Sequence, residues 1–81
     1  MLVLQQIKVL PPGSSFTIKD EGRTELQGFI SDSDGSIGFL TAYESDKYYK
    51  IYQNFKVIKL RGVLGPLVNN IQTIEYIIEV R

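Results

Sequence analysis

The sequence predicts an all-β fold: one small domain spanning residues 1–81, a partly open antiparallel barrel of the SH3-like, Sm-like or OB-like kind, with five to seven short strands. Three observations carry this expectation. Turn residues punctuate the chain at intervals of roughly 8 to 12 residues. The segments between them are rich in Ile, Val, Tyr, Phe and Thr, which fit a pleated, half-buried surface. With 81 residues, 43% hydrophobic and 22% charged, the chain supports one compact core and no more. A chain this short buries only about 60% of the surface its unfolded form exposes, so an oligomer interface would add stability.

The elements follow in order. Leu2 to Leu10 reads as an edge strand in preference to a short helix, and Pro11-Pro12-Gly13 ends it because proline cannot donate to a ladder. Phe16 and Ile18 alternate with Thr17 and Lys19 in a half-buried strand; Asp20-Glu21-Gly22 turns the chain, and Leu26, Gly28 and Ile30 share one face of the next strand. Ser31 to Ser36 is a hairpin, with Asp34-Gly35 supplying the positive φ of a tight two-residue turn. Ile37, Phe39, Thr41 and Tyr43 then share a face, with Gly38 and Ala42 small on the other, before a turn at Glu44-Ser45-Asp46. From Tyr48 to Leu60 the apolar parity slips: either a bulge sits near Val57 or Gln53-Asn54 divides the stretch into two strands. Gly62 and Gly65-Pro66 are read as breaks. Ile71 to Val80 reads as a strand in preference to a helix, entered through an Asn69-Asn70 turn.

Composition excludes whole classes of chemistry. The chain has no Cys and no His. Disulfides, thiolate nucleophiles, imidazole bases and the common zinc sites are therefore out of reach, and neither an enzyme nor a cofactor or metal site is expected. A cysteine-free chain suits a reducing cytoplasm. The apolar runs fall far short of the roughly 20 residues of a spanning helix, and the N-terminus lacks the basic region of a signal peptide, so no membrane association is expected.

The formal net charge of zero conceals an asymmetry. Residues 1–46 carry three bases against seven acids, whereas Lys47 to Arg61, KYYKIYQNFKVIKLR, holds five bases and no acid. Tyr48, Tyr49, Tyr52 and Phe55 lie between those charges. If Tyr49, Ile51 and Phe55 point inward along a strand, Tyr48, Lys50 and Tyr52 point outward together. Such a face suits RNA or single-stranded DNA, because aromatics stack on bases at about 1–3 kcal/mol each while cations track phosphates. The expected contact set is Tyr48, Lys50, Tyr52, Lys56 and Arg61. The same pattern also serves a β-sheet with no ligand, since strands favour Tyr and Phe and surface Lys discourages edge pairing.

Gly28-Phe29-Ile30 leading to Asp34 and Ile37, with Gly22-Arg23 before and Leu60-Arg61-Gly62 after, resembles the Sm-like family of RNA-binding barrels, which includes the bacterial Hfq type. The resemblance spans roughly Phe16 to Gly62 and implies a small barrel, oligomeric and RNA-binding. There are departures. The family's RNA-contacting Asn corresponds to Gly38, Ser36 and Ile37 occupy the neighbourhood of its stacking side chain, and Tyr49-Lys50 lacks the His that follows in the Hfq type.

Other motifs carry less. Asp32-Ser33-Asp34-Gly35 looks like the start of a calcium loop, but Ile30 and Thr41 stand where ligands are needed. The carboxylates Asp20-Glu21 and Glu44/Asp46 lie in turns as solvated charge. Gly62 and Gly65 have the spacing of a phosphate loop without its Lys-Ser/Thr, and Pro66 removes a donor. The functional expectation is a non-enzymatic module that binds RNA or single-stranded nucleic acid. The alternative is a protein-interaction or assembly module, such as a subunit of a homo-oligomeric ring or a virion or inhibitor component.

Overall fold

A computed structural model describes residues 1–21, 25–40 and 44–81. Five strands form, β1 (Ser15–Asp20), β2 (Leu26–Ile30), β3 (Ile37–Phe39), β4 (Val57–Val68) and β5 (Ile71–Val80), with helix α1 (Val3–Lys8) before β1 and helix α2 (Ser45–Tyr52) between β3 and β4. The fold is mostly β, as its β-branched and aromatic segments require. The strands make one open sheet in the order β3-β2-β1-β5-β4, so β3 and β4 are its edges. All neighbours are antiparallel except β1 and β5, which run parallel from Ser15↔Glu75 to Asp20↔Val80. The expected wholly antiparallel arrangement is thereby corrected to a mixed sheet: β5 is paired to β4 by its local hairpin, and its free edge takes β1.

Alternation defines two faces. On the inner face Phe16 and Ile18 of β1, Leu26 and Ile30 of β2, and Ile78 and Val80 of β5 are buried. Val3, Ile7 and Leu10 of the N-terminal segment and Tyr52 of α2 complete this core. Each large aliphatic fully removed from water contributes about 1.5–3 kcal/mol. Gly28 and Gly38 make room for aromatic rings from neighbouring strands. A Cβ on Gly28 would lie 2.5 Å from Phe16 Cζ and 2.8 Å from the Gly38 carbonyl oxygen, and a Cβ on Gly38 would lie 2.3 Å from Phe29 Cζ.

Two helices replace expected strands. The first segment is a helix because Val3, Ile7 and Leu10 recur at helical spacing and all three are buried. Its leading amides are satisfied from outside: Val3 N–H donates to Phe55 O and Leu4 N–H to Gln53 O, both at 3.0 Å. Strand pairing in this segment is confined to a single bridge, Leu2↔Lys56. The second, Ser45–Tyr52, buries Ser45 and Tyr52 and half-buries Tyr49, again a helical stripe, with Asp46 in the first turn and Lys50 in the last, where each complements the helix dipole.

The turns follow their chemistry. Asn69 and Asn70 both take positive φ, 51° and 64°, as a two-residue hairpin demands. The tight two-residue turn expected at Asp34-Gly35 is corrected to a six-residue loop, residues 31–36, between β2 and β3, in which Gly35 takes φ 73° and Asp34 does not have positive φ. Asp34 Oδ1 accepts the Ser36 N–H at 2.9 Å, and hydrogen bonds from Ser36, its side chain first, hold the Asp34 carboxyl below the usual carboxylate range. Of the two proposed causes of the parity slip the bulge is present: the register shifts between Val57 and Lys59, leaving Ile58 as an extra residue, whereas the turn at Gln53-Asn54 separates helix α2 from β4 and does not divide two strands. Gly62 and Gly65-Pro66 do not end a strand. They lie within β4, where an edge tolerates proline; Gly62 pairs regularly with Tyr76, and the second register shift, between Leu64 and Leu67, falls on Gly65-Pro66. The expectations placed on Gly22, Arg23, Thr41, Ala42 and Tyr43 lie outside the described residues.

Gly28→Ala is expected to destabilise the domain by about 1–3 kcal/mol, because one of the obstructing atoms is backbone and cannot swing away. Urea denaturation checks this, and Gln27→Ala on the opposite face is the neutral control.

Candidate interaction surface

The five basic residues of Lys47 to Arg61 do not form one face. Lys47, Tyr48 and Lys50 project from α2, which packs on the inner side of the sheet, Tyr49 meeting the Phe39 ring at 5.4 Å. Lys47 is paired with Glu44 at 3.9 Å. Lys56 sits at the bridge to Leu2. Lys59 and Arg61 lie on the outer face of β4, Lys59 directly across from Glu79, with Arg61 across from Ile77. The sheet therefore stands between Lys50 and Arg61. Tyr52, expected outside with Tyr48 and Lys50, is 4% exposed and stacks edge-on against Phe55 at 5.2 Å. Tyr48 is 37% exposed, and Ile51, expected inside, is also exposed. The cause is the period: three residues that alternate on a strand spread around a helix. Gly28–Ile30 and Arg61-Gly62 are likewise not neighbours, since β1 and β5 separate β2 from β4.

What the strands do build is an arm. On β5 the pairing with β1 is confined to Glu75 to Val80, so Ile71 to Ile74 and the facing half of β4 run beyond it as a two-stranded hairpin. The inner face of this strand pair, from the part beside β1 outward, holds Leu60, Gly62, Leu64 and Leu67 on β4 opposite Ile78, Tyr76, Ile74 and Gln72 on β5, and none of these is charged. The charges of the region, Lys59, Arg61, Glu75 and Glu79, are all on the outer face. Among the described residues no helix covers the arm. Leu64 is 78% exposed, Leu67 67%, Ile71 68% and Ile74 42%. A sequence reading that treated Gly62 and Gly65-Pro66 as breaks had no continuous strand on which to place these leucines.

Polar side chains stiffen the arm at its bulge. Gln72 Nε2 donates to Gly65 O at 2.7 Å and to Thr73 O at 3.0 Å, and Thr73 Oγ1 donates to Pro66 O at 2.6 Å. Beside the arm a groove of about 480 Å³ runs toward the α1–β1 loop, lined by Pro11, Pro12, Ile71, Ile74 and Tyr76 together with polar residues, among them Asp32, Asn69 and Gln72. A second hollow, of about 420 Å³, is lined by Asp20, Glu21, Glu25 and Glu79 with Lys19, which itself pairs with Glu25 at 3.4 Å. Among the described residues there is no group of three or more His, Cys, Asp or Glu that could hold a metal ion, and no helix long and apolar enough to cross a membrane.

No family model, curated protein or solved structure matches this chain. The likeness to Sm-like barrels rests on the residues quoted for it alone.

Two outcomes are expected. Thr73→Val removes a hydroxyl that closes the bulge and should loosen the arm by about 0.5–1.5 kcal/mol, read as faster hydrogen exchange at Leu64 to Thr73 with Ile78 unchanged. The Tyr49 hydroxyl is buried and has no hydrogen-bond partner among the described residues, and burial raises its pKa above the ordinary 10.0. Tyr49→Phe should therefore match or exceed wild-type stability at neutral pH. A raised pKa favours the protonated ring, so wild type loses stability as pH climbs above 10.0 and the gap to the Phe variant widens there. Melts at neutral and alkaline pH measure both.

Proposed function

We propose that this chain is a non-enzymatic protein-interaction or assembly module whose contact surface is the inner face of the β4–β5 arm. One observation carries the reading: a strand pair presents Leu60, Leu64, Leu67 and Ile74 to solvent on a side without charge, while its other side has the charged pattern of a wet surface. Contiguous exposed apolar area of this kind marks interaction sites in small proteins. Scattering of the basic residues over α2, the Leu2 bridge and the outer face gives less support to a phosphate-tracking groove, which needs cations along one path. Tyr48 and Lys50 on α2 are what remains in favour of a single-stranded nucleic-acid ligand.

A photoreactive amino acid at Leu64, at Tyr48 and at the control position Lys8 separates these readings in cells that produce the chain. Protein adducts at position 64 and none at position 8 are expected. Absence of protein adducts at position 64 removes the interaction-module reading, and RNA or DNA adducts at position 48 in their place favour nucleic-acid binding.

A further inference from the structure

We infer that the partner of the arm is a second copy of this chain, docked inner face to inner face about a two-fold axis; the inference rests on the interaction-module reading above and names its partner. Three features favour a copy. First, a self-complementary surface must meet its own charges, and the inner face from Leu60 to Tyr76 has none, whereas the outer face would set Lys59, Arg61, Glu75 and Glu79 against themselves. Second, the other route to self-association, pairing β4 edge to edge, is obstructed. Bulges at Ile58 and at Gly65-Pro66 interrupt the edge, Pro66 has no N–H to give, and Lys59 and Arg61 flank the part between. Edge devices of this kind leave the apolar face as the open route. Third, the formal net charge is zero, so two copies meet without long-range repulsion.

Size decides the geometry. An arm two strands wide offers a strip of roughly 10 Å by 25 Å, from a strand spacing of about 4.8 Å and a rise of about 3.3 Å per residue. Stable interfaces bury about 800 Å² per partner. Arm on arm falls well short of that, so the dimer expected is a weak one, and seating side chains in the groove of about 480 Å³ beside the arm adds to the contact. Each arm crosses the other and sets Leu64 and Leu67 into the partner's groove, against Pro11, Pro12, Ile74 and Tyr76. Two reciprocal insertions result from one contact, as two-fold symmetry requires.

Sedimentation velocity and light scattering on the purified chain, from about 1 μM to about 1 mM, test this. A concentration-dependent dimer is expected that added salt does not weaken, because the strand faces bring no charge and the one charged residue lining the groove, Asp32, is an acid that salt screens from its symmetry mate. Leu64→Asp with Leu67→Asp should raise the dissociation constant at least about a hundredfold, while Lys59→Gln on the outer face changes it by less than about twofold. Circular dichroism confirms that the variants fold, since neither leucine belongs to the core. A monomer throughout the range overturns the inference, as does a dimer that survives the leucine changes. A monomer whose position 64 still crosslinks to a different protein overturns only the identity of the partner; no crosslink at all removes the interaction-module reading with it.

Discussion

The parallel ladder between β1 and β5 is the constraint on which the rest of the fold depends. It joins Ser15–Asp20 to Glu75–Val80, segments that enclose most of the chain between them. Without it β1, β2 and β3 would form one small sheet and β4 with β5 an isolated hairpin, which is marginal in water. With it Ile18 and Ile78 become side-by-side neighbours, both fully buried, at the middle of the inner face. The ladder also sets the limit of the core. β1 has six residues, β5 ten and β4 twelve, so whatever β1 cannot reach projects past the covered part of the sheet. The exposed arm is thus a consequence of unequal strand lengths.

The helices depend on that sheet in turn. α1 has six residues, too few to be stable alone, and its first turn is held by carbonyls at the end of α2. Val57 N–H also donates to Met1 O at 2.9 Å and Arg81 N–H to Lys56 O at 3.3 Å, so both ends of the chain meet the same short segment before β4. That segment can receive them because Tyr52 and Phe55 anchor it to the core by an edge-on ring contact. Tyr52 serves this packing, and its burial is what removes it from any external stacking surface.

How far the sequence could be read followed from which forces were local. The mostly β character, the strand at Ile71 to Val80, the Asn69-Asn70 turn and the slip near Val57 were legible because β-branched alternation and turn chemistry act over a few residues. The two helices were not, since Val3/Ile7/Leu10 and Ser45/Tyr49/Tyr52 have helical spacing but are written in residues that favour strands, and only packing on the sheet decides between them. The parallel pair was hidden for the same reason, because no local pattern reports which distant edge a strand will take. The contact set suffered from the period error: Tyr48, Lys50, Lys56 and Arg61 are exposed as read, yet they lie on α2, at the Leu2 bridge and on β4, and Tyr52 is inside. Gly65-Pro66 concealed the arm, since a glycine-proline pair reads as a break where an edge strand accepts it as a bulge.

The arm shows why exposure here differs from loose packing. An uncovered two-stranded hairpin gains little from burial and would fray unless other bonds held it. Gln72 and Thr73 supply three such bonds, to the carbonyls of Gly65, Thr73 and Pro66, and the bulge that could have weakened the strand pair is where they converge. Side chains that hold a hairpin straight in solvent reduce the ordering cost of docking it, because the backbone conformation that a partner meets already exists. Leu64 and Leu67 flank that braced bulge on the charge-free side. Apolar residues on a flexible loop would invite indiscriminate sticking; on a rigid edge interrupted by two bulges and a proline, they leave one face open to contact and obstruct strand addition beside it.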